Sequence, residues 1–141
     1  KKLKEIENNY FDNDLKWIFN FRSKVKKVCD EAIDFINAAN SNGLNIVGYG
    51  AAAKANTFLN YCGIDNSKIS YFVDKNPEKQ NKFTPGTKIP IYSLDKLSKT
   101  QPDIVIIFAW NLKTEILNEL QKYLPKKTKF VTFIPNLEVL N

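Results

Sequence analysis

Apolar residues recur at helical spacing in the first third of the chain. Between Asp14 and Ser41 they return at three- and four-residue steps, which is typical of one face of an α-helix. They are Leu15, Ile18, Val25, Cys29, Ala32, Ile36 and Ala39, and the polar stretch 40–43 ends the pattern. The sequence therefore predicts a long helix over residues 14–42. The preceding segment, 1–13, is polar without a clear period, and we interpret it as a tether from an upstream domain.

This predicted helix is long for a domain of this size. Its 28 residues from Asp14 to Ser41 would span ~42 Å at the usual rise per residue. The same positions also fit a heptad seam, but Arg22 and the small side chains of Cys29 and Ala32 would make a poor coiled coil. We therefore expect one end of the helix to pack on a sheet and the other end to reach toward another domain.

After Gly43, short apolar runs alternate with helical stretches. The sequence predicts strands at 44–48, 69–74, 89–92, 104–109 and 130–134, and helices at 51–61, 94–98 and 112–124. Such alternation favours a parallel sheet, and the wholly apolar run 104–109 suits a strand covered on both faces. The predicted fold class is α/β: a Rossmann-like, doubly wound parallel sheet of about five strands, led by the long helix. Residues 14–141 would form this single domain.

Composition narrows the class of protein. The chain has 141 residues, of which 43% are hydrophobic and 26% are charged, and this balance is typical of a folded globular domain. The longest apolar run, 104–110, has seven residues, whereas a membrane helix needs ~20. With no signal peptide either, we expect a cytoplasmic protein without a membrane partner. Because the chain begins at Lys1 and contains no methionine, we expect a fragment of a longer polypeptide.

The net charge of +6 invites a nucleic-acid interpretation. Only Arg22 is an arginine, however, and base readout depends on the planar donors of that side chain. The lysines are spread along the chain, and their densest groups lie near its ends. We therefore expect no nucleic-acid partner.

Histidine is absent, which removes the commonest general base and transition-metal ligand. Cys29 and Cys62 lack the spacing of a zinc site or of a redox dithiol, so we expect buried, reduced thiols and no metal. Proton transfers near this chain would have to come from elsewhere.

A glycine-rich turn follows the first predicted strand. Gly48, Tyr49, Gly50 and Ala51 lead from a strand into a helix, as in dinucleotide-binding folds. Asp74 ends the second strand 24 residues after Gly50, near the distance expected of an acidic residue that binds a ribose hydroxyl. The alternative is that both glycines only allow a tight turn and close packing, while Asp74 caps a loop.

Lys54 lies in the first turn of the next predicted helix. A cation there opposes the helix dipole at a cost of ~0.3 to 1 kcal/mol unless an anion offsets it. A bound diphosphate, held by the helix amides and by the ammonium group, would supply that anion. A lysine that simply points into water is the alternative.

Trp110 and Asn111 follow the strongest predicted strand, and ligands of open parallel sheets sit at this edge, where the strand order reverses. We expect both residues to face the same crevice as the glycine turn. Asn111 is predicted to cap the following helix and to contact ligand in addition. Trp110 would either stack on a base or sugar, or close the core.

Four separated motifs resemble the C-terminal domain of bacterial sugar C-methyltransferases. They are residues 48–64 (GYGAAAKANTFLNYCGI), residues 73–80 (VDKNPEKQ), the pair of segments 85–87 and 89–91, and Trp110-Asn111. They occur in the family's order, and the resemblance covers about residues 20–136. Two departures stand out: Ala55 and Asn81 occupy positions where the family commonly has glycine.

The resemblance implies a three-domain enzyme that methylates a nucleotide-linked sugar, typically a thymidine diphosphate 4-keto deoxysugar. Zinc would bind an N-terminal module, and S-adenosylmethionine a central domain that also supplies the base. This Rossmann-like domain would bind the nucleotide sugar together with its own central domain and contribute no catalytic residue. The implied substrate-binding residues are Gly48, Tyr49, Gly50, Ala51, Lys54, Asn56, Asp74, Trp110 and Asn111.

Two other functions remain open on the sequence. One is a free-standing module for NAD(P) or a nucleotide sugar, similar to the small N-terminal domains of sugar-modifying acetyltransferases. The other is a scaffolding domain whose glycine turn is vestigial.

Overall fold

The computed structural model describes residues 16–140 of the chain. The predicted tether, residues 1–13, lies outside this range. Helix α1 spans Lys16–Ser41 and buries Cys29, Ala32, Ile36 and Ala39. The long N-terminal helix is thus confirmed within the described residues, and it ends one residue before the predicted limit.

The described residues form a six-stranded sheet in the order β3-β2-β1-β4-β5-β6. Its strands are β1 (Ile46–Tyr49), β2 (Tyr71–Val73), β3 (Ile91–Tyr92), β4 (Ile104–Ile107), β5 (Lys129–Thr132) and β6 (Glu138–Leu140). The first five strands are parallel, and β6 is antiparallel to β5. The predicted α/β class and parallel sheet are confirmed.

Helices connect these strands. They are α2 (Ala53–Cys62), α3 (Asp95–Thr100) and α4 (Lys113–Leu120), and the 3-10 turn Trp110–Leu112 precedes α4. Helix α4 ends four residues earlier than predicted, because the Lys122 and Tyr123 N–H groups donate to carbonyls three residues back instead of four. The chain continues from Gln121 to Leu124 as a turn.

The prediction of about five strands misses β6. Only Leu140 of its three residues is buried, and the strand pairs with β5 alone. An edge strand this short has neither an apolar run nor a full period of alternation, so no pattern reveals it.

The sheet is covered on both faces. One apolar core lies under α1 and α2 and includes Ile46 and Phe72. The other lies under α3 and α4 and includes Val47 and Tyr49. Because consecutive strand residues point to opposite faces, β1 contributes to both cores. No helix of residues 16–140 is long and apolar enough to cross a membrane.

Cys29 and Cys62 are free and buried, as predicted. They lie on the neighbouring helices α1 and α2. Burial, and then the nearby Cys29 thiol, raise the pKa of the Cys62 thiol.

Candidate functional site

The ends of three strands meet beside the glycine turn. Gly50 N–H donates to the Val73 carbonyl at 2.9 Å, and Phe108 N–H donates to the Tyr49 carbonyl at 3.1 Å. The strand order reverses between β1 and its neighbour β4, so this is the point where open parallel sheets bind ligands. The structure thus brings the glycine turn, Asp74 and Trp110 to one edge of the sheet, which we call the crevice.

The structure requires glycine at both positions of the turn. Gly50 has a φ of +87°, a conformation that L side chains rarely adopt. A Cβ on Gly48 would lie 2.5 Å from Cζ of Phe72. Both glycines therefore have the structural role that the sequence offered as an alternative to ligand binding: Gly50 allows the tight turn and Gly48 the close packing. This role leaves room for a ligand above the turn.

Helix α2 begins without a side-chain cap. Its N-cap residue Ala52 is extended, and Ala51 before it is buried in the core under α1 and α2. The first intrahelical acceptor is the Ala52 carbonyl, which takes the Asn56 N–H at 3.1 Å. The amides of the first turn therefore have no acceptor within the helix, and such amides suit an anion.

Lys54 lies over Trp110. Its ammonium nitrogen is 5.1 Å from the centroid of the indole ring. An exposed cation–π contact is worth ~0.5 to 1 kcal/mol, close to the ~0.3 to 1 kcal/mol that the helix dipole costs. The contact with Trp110 therefore offsets the dipole cost, and Lys54 can remain at this position with or without a bound anion.

Asp74 organises the loop that follows β2. Its side chain is buried, with Oδ1 accepting the Asn76 N–H at 2.9 Å and Oδ2 pairing with Lys79 Nζ at 3.0 Å. The loop-capping role is therefore present. Each carboxylate oxygen keeps a second acceptor position that a ribose hydroxyl could use.

Tyr49 faces away from Lys54. Its ring belongs to the core under α3 and α4, near the Lys75–Glu119 ion pair, which is 2.6 Å long. Burial raises the pKa of the Tyr49 phenol above its usual value, although the nearby charge of Lys75 opposes the shift. The phenol is therefore a neutral donor at physiological pH, on the other side of the sheet from α2.

Trp110 is half-buried, with Lys54 on its ring, and lines a small apolar hollow with Phe58, Phe108 and Phe133. Its ring packs beside these apolar side chains, and the predicted stacking on a base or sugar stays a prediction.

The predicted helix cap at Asn111 is wrong. Asn111 lies inside the 3-10 turn, and the residue before α4 is Leu112, which makes no side-chain cap bond. The 3-10 turn delays the helix, because Leu112 N–H donates to the Ala109 carbonyl at 2.9 Å. Asn111 is consequently an exposed amide at the rim of the crevice.

Asn56 carries an unusual buried acceptor. Its side-chain Oδ1 has no hydrogen-bond partner among the described residues. An unsatisfied buried polar atom costs ~1 to 3 kcal/mol.

In residues 16–140, no group of three or more potential metal ligands comes together.

A family model described as the C-methyltransferase C-terminal domain matches residues 1–135. The chain belongs to this family. The C-methyltransferase NovU of Streptomyces niveus is 28% identical over 121 residues, which are 86% of this chain and 29% of that protein. This C-methyltransferase domain thus spans less than a third of the length of that relative.

Among solved structures, the domain is similar to UDP-D-quinovosamine 4-dehydrogenase from Vibrio fischeri. The TM-score is 0.48 at 19% sequence identity, covering 70% of this chain and 93% of the other. The family match confirms the resemblance found in the motifs and places the domain in the context of C-methyl transfer.

Two contacts of the crevice went unpredicted. Lys54 and Trp110 are 56 residues apart in sequence, so no local pattern connects them. The Asp74–Lys79 pair had a local signal, because the Asn76-Pro77 turn between them folds the loop back on itself.

Proposed function

We propose that this domain binds the nucleotide-linked sugar that an S-adenosylmethionine-dependent C-methyltransferase methylates. The observation that carries the proposal is the uncapped start of α2 next to Lys54, at the switch point of the sheet. Amide donors and an ammonium group at one place suit a diphosphate. The substrate class that the family resemblance implies is a thymidine diphosphate 4-keto deoxysugar.

The diphosphate would lie over the first turn of α2, with Lys54 on one side and the Gly50 turn below. Because Trp110 limits the positions open to the Lys54 ammonium group, that cation is partly preorganised for the contact. Asn111, exposed at the rim, and the free acceptor positions of Asp74 are available to the nucleoside or sugar hydroxyls.

Binding and orientation are the part of the reaction that this domain performs. The chain has no histidine, and its crevice carboxylate, Asp74, is paired with Lys79. The family resemblance assigns the catalytic base to the central domain, together with S-adenosylmethionine, which supplies the methyl group when bound. It assigns zinc to an N-terminal module. Holding the diphosphate fixes the sugar carbon relative to the methyl donor, which lowers the entropic part of the barrier.

Methyl transfer tests this proposal. The full-length enzyme that carries this domain, incubated with S-adenosylmethionine labelled in its methyl group and a thymidine diphosphate 4-keto sugar, should transfer label to a sugar carbon. The 141-residue chain alone should transfer none, because it lacks the methyl-donor domain. Transfer by the isolated chain would overturn this division of roles, and its absence in the full-length enzyme would overturn the substrate class.

A further inference from the structure

The core-facing stripe of α1 continues past the core. Stepping back from the buried Cys29 by four residues at a time reaches Val25 and then Phe21, and three more reach Ile18. Residues at these steps share one face of a helix. The exposed fraction of the residue is 7% at Cys29 but 64% at Phe21 and 40% at Ile18, so the part of the face beyond the core is open to solvent.

The bare part of this face opens into an apolar groove between α1 and α2. The groove has a volume of about 310 Å³, and its apolar lining includes Phe21, Val25, Phe58, Tyr61 and Ile134. We call it the α1–α2 groove. Tyr61 is 62% exposed on its wall. Large apolar patches rimmed by polar residues mark interaction surfaces on folded proteins.

The α1–α2 groove adjoins the crevice. Phe58 and Ile134 line the groove and also the hollow that contains Trp110. A domain seated in the groove would therefore contact two side chains that also line the hollow beside Trp110.

The position of the groove favours one occupant. The exposed end of the stripe is the N-terminal end of α1, where preceding polypeptide joins the domain. The family match is to a C-terminal domain, and the matched region is only 29% of the curated relative, so in that protein other polypeptide precedes this domain. A second copy of this chain is a poorer fit, because each copy carries a net charge of +6.

We propose that the preceding methyltransferase domain of the same polypeptide docks in the α1–α2 groove. This inference rests on the proposed function in taking that domain to be the methyltransferase domain. Lys24 lines the groove and Arg22 is exposed on the same helix, so the matching surface of the docked domain is expected to be apolar with an acidic rim.

Hydroxyl-radical footprinting of Tyr61 tests the docking without any nucleotide sugar. In the 141-residue chain the exposed ring should be oxidised readily. In the full-length enzyme the oxidation should be ~5-fold slower or more, because the core of a docked interface excludes solvent. Phe21→Glu in the full-length enzyme should restore the rate seen in the isolated chain.

Phe19→Glu is the matched control. Phe19 is also 64% exposed on α1, but two residues from Phe21 and therefore on the opposite side of the helix. This variant should leave Tyr61 protected, and circular dichroism of both variants should match the wild type. Equal oxidation of Tyr61 in the isolated chain and the full-length enzyme would overturn the docking.

Two patterns of protection would overturn the assigned occupant. Protection that grows with the concentration of the 141-residue chain would assign the groove to a second copy. If Tyr61 is protected in the dilute isolated chain and deletion of residues 1–15 removes that protection, the α1–α2 groove is occupied by residues 1–15. Because no sugar is present, failure of the docking leaves the substrate proposal standing, and the reverse also holds.

Discussion

Gly48 and Gly50 are glycines for different physical reasons. At Gly50 the backbone itself requires glycine, since its φ is +87°. At Gly48 the space for a side chain is filled, because three ring carbons of Phe72 lie within 2.7 Å of where a Cβ would stand. The motif predicts that both positions are glycine, but only the packing shows that one of them serves the core.

Asn81 explains one departure from the family pattern. Its φ is +61°, in the left-handed region that asparagine tolerates better than other side chains. Glycine, which the family resemblance implies at this position, would adopt that conformation without strain. The substitution therefore preserves the turn between β2 and β3.

We expect Gly48→Ala to lower the free energy of unfolding by ~1 to 3 kcal/mol, because the new methyl group overpacks a buried ring. The cost should fall clearly in a Phe72→Leu background, where the smaller side chain leaves room. Urea denaturation of the two single variants and the double variant measures this coupling. An equal cost in both backgrounds would contradict the proposed contact.

At the scale of elements, the sequence predicts whether a segment is a helix or a strand better than it predicts the first and last residue of that element. The strand predicted at 104–109 is found at Ile104–Ile107, and the helix predicted at 51–61 begins at Ala53. Apolar periodicity reports burial, and burial continues past the last residue of β4, as at Phe108. The 3-10 turn at Trp110–Leu112 depends on local backbone geometry, which residue types there do not specify.

Packing between elements places three weak acids out of water. Burial raises the pKa of the Cys62 thiol between α1 and α2, and it likewise raises the pKa of the Tyr71 phenol in β2 and of the Tyr49 phenol in β1. In the unfolded chain these groups release their protons at lower pH, from ~8.5 for cysteine to ~10 for tyrosine. The stabilisation they contribute is fully present below those values.

Stability should therefore fall as pH rises above ~8.5, because the unfolded chain then binds fewer protons than the folded one. Urea denaturation at pH 7, 9 and 10 measures the trend. Cys62→Ala should show a smaller loss between pH 7 and pH 9 than the wild type, since the phenols titrate later. An equal loss in both proteins would show that the Cys62 thiol does not contribute.

At the scale of the whole molecule, the α1–α2 groove and the hollow beside Trp110 share two lining residues, Phe58 and Ile134. The sequence predicts the edge of the sheet where the crevice forms, because parallel strands end together. It does not predict the Lys54–Trp110 contact or the groove, because both join side chains brought together only by tertiary packing.

Steady-state kinetics of Lys54→Ala in the full-length enzyme tests most directly whether the crevice binds the diphosphate. A charge-assisted contact is worth ~1.5 to 3 kcal/mol, so KM for the nucleotide sugar should rise ~10- to 150-fold. The KM for S-adenosylmethionine should stay unchanged. Lys127→Ala, at an exposed lysine in the loop before β5, should leave both constants at the wild-type level. An unchanged sugar-nucleotide KM in a folded Lys54→Ala enzyme would contradict the proposed site.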